Sequence, residues 1–135
     1  MPNDEIQALK DRFIEQLSPL KVYLFGSYAY GTPGADSDYD FYIVVDDSRP
    51  DSYEQTVRAY RAIRHARTRP VDILVGTNSA FEARKTECLH SIESEVFRKG
   101  ILLYPSNIQF SEYSAKKAIE AAEAILGWVQ TQIAE

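Results

Sequence analysis

Apolar positions along the chain alternate between helical and strand rhythms. Within residues 4–17, Ile6, Leu9, Phe13 and Leu17 recur at helical spacing behind Asn3, a residue suited to N-capping, with Glu5 in the first turn. Pro19 marks the end. Residues 21–25 (Lys-Val-Tyr-Leu-Phe) read as a short buried strand stopping at Gly26-Ser27. A helical turn follows, then a loop broken by Gly31, Pro33 and Gly34. Residues 38–45 predict a second strand, with Phe41, Ile43 and Val45 on one face and Tyr42 and Val44 on the other. Apolar residues on both faces make it a central strand covered on both sides.

After a polar loop carrying Pro50, residues 53–68 predict a helix with Ser52 as its cap and Pro70 beyond its end. Residues 71–75 form a third core strand, closed by Gly76 and expected beside the second. Residues 79–85 and 89–99 read as helices, Gly100 stands where a helix C-terminal glycine belongs, and residues 101–104 make a last short strand. Residues 110–133 predict the longest helix. Ile119, Ala122, Leu126, Val129 and Ile133 line one stripe of it, and Phe110, Ala118, Ala121, Ile125 and Trp128 the adjacent one. Together they cover more than the stripe of about 100° that one core contact needs. The helix is therefore expected to pack on its own domain, on a partner protein or on a second copy of the chain. Strands interleaved with helices give an α+β (mixed α/β) class, with a folded domain over 1–104 and the C-terminal helix over 105–135.

At 135 residues, 44% apolar and 26% charged, the chain has room for one soluble domain with a real core. It lacks a membrane-length apolar run, and residues 1–5 lack a basic and apolar signal pattern, so no membrane association is expected. Cys88 is the only cysteine, which rules out an internal disulfide and makes a reducing cytoplasm the expected location. Cys88, His65 and His90 show no zinc-ligand spacing, so structural roles are expected of them. The net charge of −5 argues against non-specific coating of nucleic acid, so a nucleic acid partner stays open without being indicated. The charge is uneven, however. Arg58, Arg61, Arg64, Arg67 and Arg69 place five of fifteen basic residues within twelve positions, opposite an apolar side of Ala59, Ala62, Ile63 and Ala66. That run suits either a solvated face or an acceptor-side patch for RNA or an acidic partner.

Three carboxylates carry the chemistry. Asp38, Asp40 and Asp72 stand at the edges of apolar, β-prone segments. Side chains two apart on a strand share a face, so Asp38 and Asp40 are expected to converge. Two carboxylates about 4 Å apart repel by roughly 4 kcal/mol at an effective dielectric of 20. A divalent cation reverses that, and Mg²⁺ favours carboxylates together with phosphate oxygens. Gly26-Ser27, a strand-ending glycine followed by a hydroxyl and a helix start, suits close approach of backbone N–H groups to phosphate.

The run Gly26-Ser27, Gly31, Ser37-Asp38-Tyr39-Asp40, with Asp72 on a later strand, resembles the DNA-polymerase-β-type nucleotidyltransferase superfamily over residues 5–104. Within it the pattern is most similar to the minimal nucleotidyltransferase group. The resemblance implies a small mixed sheet flanked by helices. It implies Gly26 and Ser27 at the triphosphate, Asp38 and Asp40 as ligands of nucleotide-bound Mg²⁺, and Asp72 as the third metal-binding, catalytic carboxylate. It further implies a nucleoside triphosphate donor, ATP foremost, and two Mg²⁺ ions with Mn²⁺ as the substitute. The implied role is antitoxin to a HEPN-type ribonuclease toxin, which the chain would adenylylate. One position departs from the pattern: Tyr30 stands where relatives often carry an arginine, an always-charged fork suited to phosphate. Transfer to a small molecule such as an aminoglycoside is a second reading, although those relatives usually add a helical domain that about 30 residues after Tyr104 cannot supply. A module that binds nucleotide or partner without turnover is a third, and the presence of all three carboxylates argues against it.

Overall fold

A computed structural model describes residues 3–49 and 52–105. Four strands make one mixed sheet, β1 (Lys21–Phe25), β2 (Tyr39–Val45), β3 (Val71–Thr77) and β4 (Ile101–Tyr104), in the spatial order β3-β2-β1-β4. β1 pairs antiparallel with β2 and β4, whereas β2 and β3 run parallel. The helices are α1 (Asp4–Leu17), α2 (Ser27–Tyr30), α3 (Ser52–Ala62), α4 (Asn78–Glu87) and α5 (Ile92–Lys99).

β2 behaves as its two-faced apolar pattern requires. Phe41, Ile43 and Val45 join Ile6, Leu9, Phe13 and Leu17 of α1 and Ala59 of α3 in one core, where Phe13 meets Phe41 edge-on at 5.0 Å. Tyr42 and Val44 join Tyr23, Phe81 of α4 and Val96 of α5 in the core of the opposite face. Burying side chains of this size contributes roughly 1.5–3 kcal/mol each, so the two half-cores clamp β2 from both sides. α1 starts as expected, with Asn3 Oδ1 accepting from Ile6 N–H at 2.8 Å, and ends at Ser18, in the left-handed region at φ 47°.

Several boundaries and glycine roles differ from the sequence expectation. α3 stops at Ala62, six residues short, and Ser52 lies inside it. Past Ala62 the backbone tightens into Ala66 N–H to Ile63 C=O and similar three-residue bonds. Glu5 then takes both the N–H (2.6 Å) and the hydroxyl (2.8 Å) of Thr68, which draws the chain away from helix. β3 continues through Gly76 to Thr77. Gly76 is there for clearance, because a Cβ would collide with the Tyr42 hydroxyl. Gly100 is extended (φ −75°, ψ 170°) rather than left-handed, and its lack of a Cβ serves the backbone: one would stand 2.6 Å from the Val96 carbonyl oxygen. Residues 88–91 form a turn, so α5 begins only at Ile92 behind the capping hydroxyl of Ser91. Cys88, His65 and His90 are all exposed, which leaves them no packing role. The helix expected over 110–133 lies outside the described residues.

Candidate active site

The site sits at one end of the sheet, where β1 finishes and β2 and β3 begin. Antiparallel pairing puts Phe25 opposite Asp40, and parallel pairing puts Asp40 opposite Asp72. The strand register alone therefore brings the turn at Gly26, Asp40 and Asp72 side by side. β2 starts at Tyr39, one residue later than expected, so Asp38 is the last residue of the preceding loop, and its charge still acts on Asp40. The loop is polar and rich in small residues from Gly31 to Ser37, and it enters the ladder only where Tyr39 N–H reaches the Pro70 carbonyl (3.2 Å).

Gly26 takes φ 76°, a left-handed conformation that glycine adopts without strain, and turns β1 into α2. A Cβ at this position would fall on the Asp40 carboxylate. The glycine thus lets the chain turn and gives the carboxylate its space. Gly26 C=O accepts from Ala29 and Tyr30 N–H, both at 3.0 Å, and Ser27 opens the helix that follows.

Half-buried Asp40 has its carboxyl pushed up to about 6, first by burial, then by the negative charges of Asp72 and Asp38 and by a hydrogen bond shared with Asp72. Asp40 and Asp72 are in direct contact, and Asp38 is near enough to act through its charge. Among the described residues no three acidic, imidazole or thiol groups are already gathered into a metal cage. The donor set nevertheless fits a hard divalent cation: it offers oxygen ligands only, with Asp40 crowded by its acidic neighbours to the point of resisting ionisation.

Two further residues shape this end of the sheet. Tyr30 donates its phenolic proton to Glu95 of α5, and its own ionisation is pushed up to about 12 by burial, by Glu95 and, to a smaller extent, by Asp40. Lys99 Nζ lies 5.8 Å from the centre of the same ring. Position 30 thus holds a neutral group tied to a carboxylate, in the turn beside Gly26. Arg69, just before β3, lies against the rings of Tyr28 (5.5 Å) and Tyr39 (5.3 Å) and donates to the Ser37 carbonyl at 3.3 Å, which holds the residue immediately before Asp38. Its Nε is buried with no partner among the described residues.

Of the residues expected from sequence, Gly26, Ser27, Asp40 and Asp72 gather at one sheet end, with Asp38 on the adjoining loop. Glu95 and Arg69 were not anticipated as site neighbours. Glu95 is 65 positions from Tyr30, and no local pattern encodes that contact. Arg69 was visible only as a member of a basic run.

Residues 6–103 match the family described as Nucleotidyltransferase domain. No curated protein matches the sequence. Among solved structures, a candidate nucleotidyltransferase from Sulfolobus solfataricus superposes with a TM-score of 0.52 at 20% identity, covering 74% of this chain and 77% of that one. A toxin–antitoxin structure with AMP-PNP gives a TM-score of 0.46 at 22% identity, over 95% of this chain and 94% of that one.

Proposed function

The chain belongs to the nucleotidyltransferase domain family, and on that premise we propose that it transfers a nucleoside monophosphate, AMP from ATP, to an acceptor hydroxyl with the help of Mg²⁺. The observation that carries the reading is the register pair Asp40–Asp72 with Gly26 packed against the Asp40 carboxylate. Asp40 and Asp72, with Asp38 swung in from its loop, would hold the divalent ions, which neutralise triphosphate charge and acidify the attacking hydroxyl. Gly26 leaves the backbone open to the β- and γ-phosphates, and the Ser27 hydroxyl adds a donor. Asp72, on the outermost strand of the three, orients the acceptor hydroxyl and receives its proton. The acceptor oxygen bonds to the α-phosphorus as the bond to the bridging oxygen breaks, and pyrophosphate leaves. Arg69 holds the carbonyl before Asp38 and so keeps that loop beside the strand pair.

The acceptor we propose is a HEPN-type toxin, to which this chain would be the antitoxin. This step rests on the resemblance of Gly26-Ser27, Asp38, Asp40 and Asp72 to the minimal nucleotidyltransferase pattern. A reading as a nucleotide-binding module with little turnover draws on one observation: the turn that carries arginine in relatives here carries Tyr30, bonded to Glu95. One experiment separates them. The protein is incubated with each labelled triphosphate and Mg²⁺, with and without host lysate and a co-expressed HEPN partner. Label on a macromolecule that disappears in Asp40→Asn supports transfer. Triphosphate binding without any label, in every combination, sinks the transferase reading in favour of the module.

A further inference from the structure

The outer side of α3 and the turn after it form a groove of about 460 Å³, within the size range of ligand pockets. Tyr53, Tyr60, Arg61, Arg64 and Arg67 line it. Tyr53 is 75% exposed and Tyr60 38%, although aromatic rings are usually sheltered from water. The three arginines are exposed, and among the described residues none of them pairs with a carboxylate. Arg58, one turn earlier, differs: it pairs with Glu54 at 3.6 Å and lies outside the groove. In a chain of net charge −5, three guanidinium groups with no carboxylate partner among the described residues, gathered in one aromatic groove, are a local reversal of sign. A favourable interaction with the helix C-terminal dipole accounts for Arg61 alone, since that effect fades within the last turn.

We propose that this groove binds single-stranded polynucleotide. Cations at three-residue intervals suit the evenly repeated charge of a phosphodiester backbone, and exposed tyrosines offer faces on which bases of any sequence stack. An acidic peptide would use the arginines and leave the rings idle. The groove also adjoins the candidate active site: the Tyr60 hydroxyl accepts from the backbone N–H of Ile73 at 3.0 Å, one residue along β3 from Asp72. A strand lying there would run past the flank of the site away from Gly26. The proposal goes beyond the transferase reading and does not depend on it.

The test is fluorescence anisotropy of a labelled oligouridylate of about ten nucleotides, a length matched to known single-strand site sizes. It is run on the full chain without triphosphate or metal. Binding is expected, with a steep salt dependence. The triple variant Arg61→Ala/Arg64→Ala/Arg67→Ala should bind at least tenfold more weakly and flatten the logarithmic salt slope by about 2, the share of three phosphates. Tyr53→Ala should weaken binding about tenfold through lost stacking. The triple variant changes exposed arginines, so its circular dichroism melt and ATP binding should match the natural protein, and the Tyr53→Ala binding is read at a temperature where its own melt shows it folded. No binding at low salt, equal binding by the triple variant, equal binding of duplex RNA, or tighter binding of polyglutamate would each overturn the proposal. Failure here with ATP binding intact removes this inference and leaves the transferase reading standing.

Discussion

Asp40 and Asp72 stand opposite each other on parallel neighbouring strands, their carboxyl groups sharing a hydrogen bond. Few arrangements are less favourable for a protein without a cation. The pair therefore yields a prediction about stability as well as activity. Asp40 ionises near 3.8 when unfolded and is pushed up to about 6 in the fold. Between those values the folded state holds the extra proton, so stability falls as pH rises through this window and the loss is complete above it. Unscreened, a displacement from 3.8 to about 6 corresponds to about 3 kcal/mol. Screening of a partly exposed group reduces this to about 1 kcal/mol. Asp40→Asn should therefore melt several degrees higher than the natural protein at neutral pH, with the difference vanishing near pH 4, while transfer is abolished. Melting curves at the two pH values, with Mg²⁺ chelated, check the sign.

Gly26→Ala tests the space that the same carboxylate occupies. The variant carries a Cβ at φ 76° and drives it onto Asp40, and a loss of about 2–4 kcal/mol is expected from strain and collision together. In an Asp40→Ala background the collision is gone and only the backbone strain remains. The cost of Gly26→Ala should fall to about half there, giving a coupling that urea titrations of the four proteins would measure.

Tyr30→Arg addresses the departure in the turn. An arginine there has Glu95 as a ready partner, and on the proposed reading of Gly26-Ser27 its guanidinium would also be offered to the triphosphate. A gain of roughly 1.5 kcal/mol, or about tenfold in affinity for Mg·ATP, is expected from a charge-assisted bond. Calorimetric titration with ATP decides it, and an unchanged or weaker affinity would mean that position 30 lies outside the donor's reach.

Glu93 reports the opposite pH sign. Burial resists its ionisation, but bonds from Arg84 Nε (2.9 Å) and the Tyr42 hydroxyl (2.8 Å) outweigh burial and hold the carboxyl below its usual value of 4.5. Its contribution is present above pH 4.5 and is lost as the pH falls through its lowered value. Glu93→Gln should cost about 1 kcal/mol at neutral pH and nothing in strong acid, read from denaturant midpoints across pH.

Much of this architecture is written in local pattern. The spacing of Ile6, Leu9, Phe13 and Leu17 defines α1, and the two apolar faces of residues 41–45 require a central strand. Asp40 and Asp72 were each legible because each enters a core strand, where an unneeded carboxylate is costly. Alternation, however, pointed to Asp38 as the partner of Asp40, and it is the parallel register that sets Asp72 opposite it. What could not be read depends on contacts across the chain. Thr68 leaves its helix because Glu5, 63 positions away, takes its donors. Gly76 and Gly100 look like turn residues, yet one clears a tyrosine hydroxyl and the other a backbone carbonyl. The Tyr30–Glu95 bond exists only once α5 lies beside α2. Asp38 follows the loop because its neighbours carry no apolar alternation to hold it in the ladder.

The bond between Tyr60 and Ile73 has a meaning apart from any ligand. β3 is the last strand on its side of the sheet, and an outward N–H on such a strand invites another molecule to stack on and propagate. The phenol acts as a stopper there. Removing it, as in Tyr60→Phe, would leave the fold's interior untouched and bare that edge donor to a neighbouring strand.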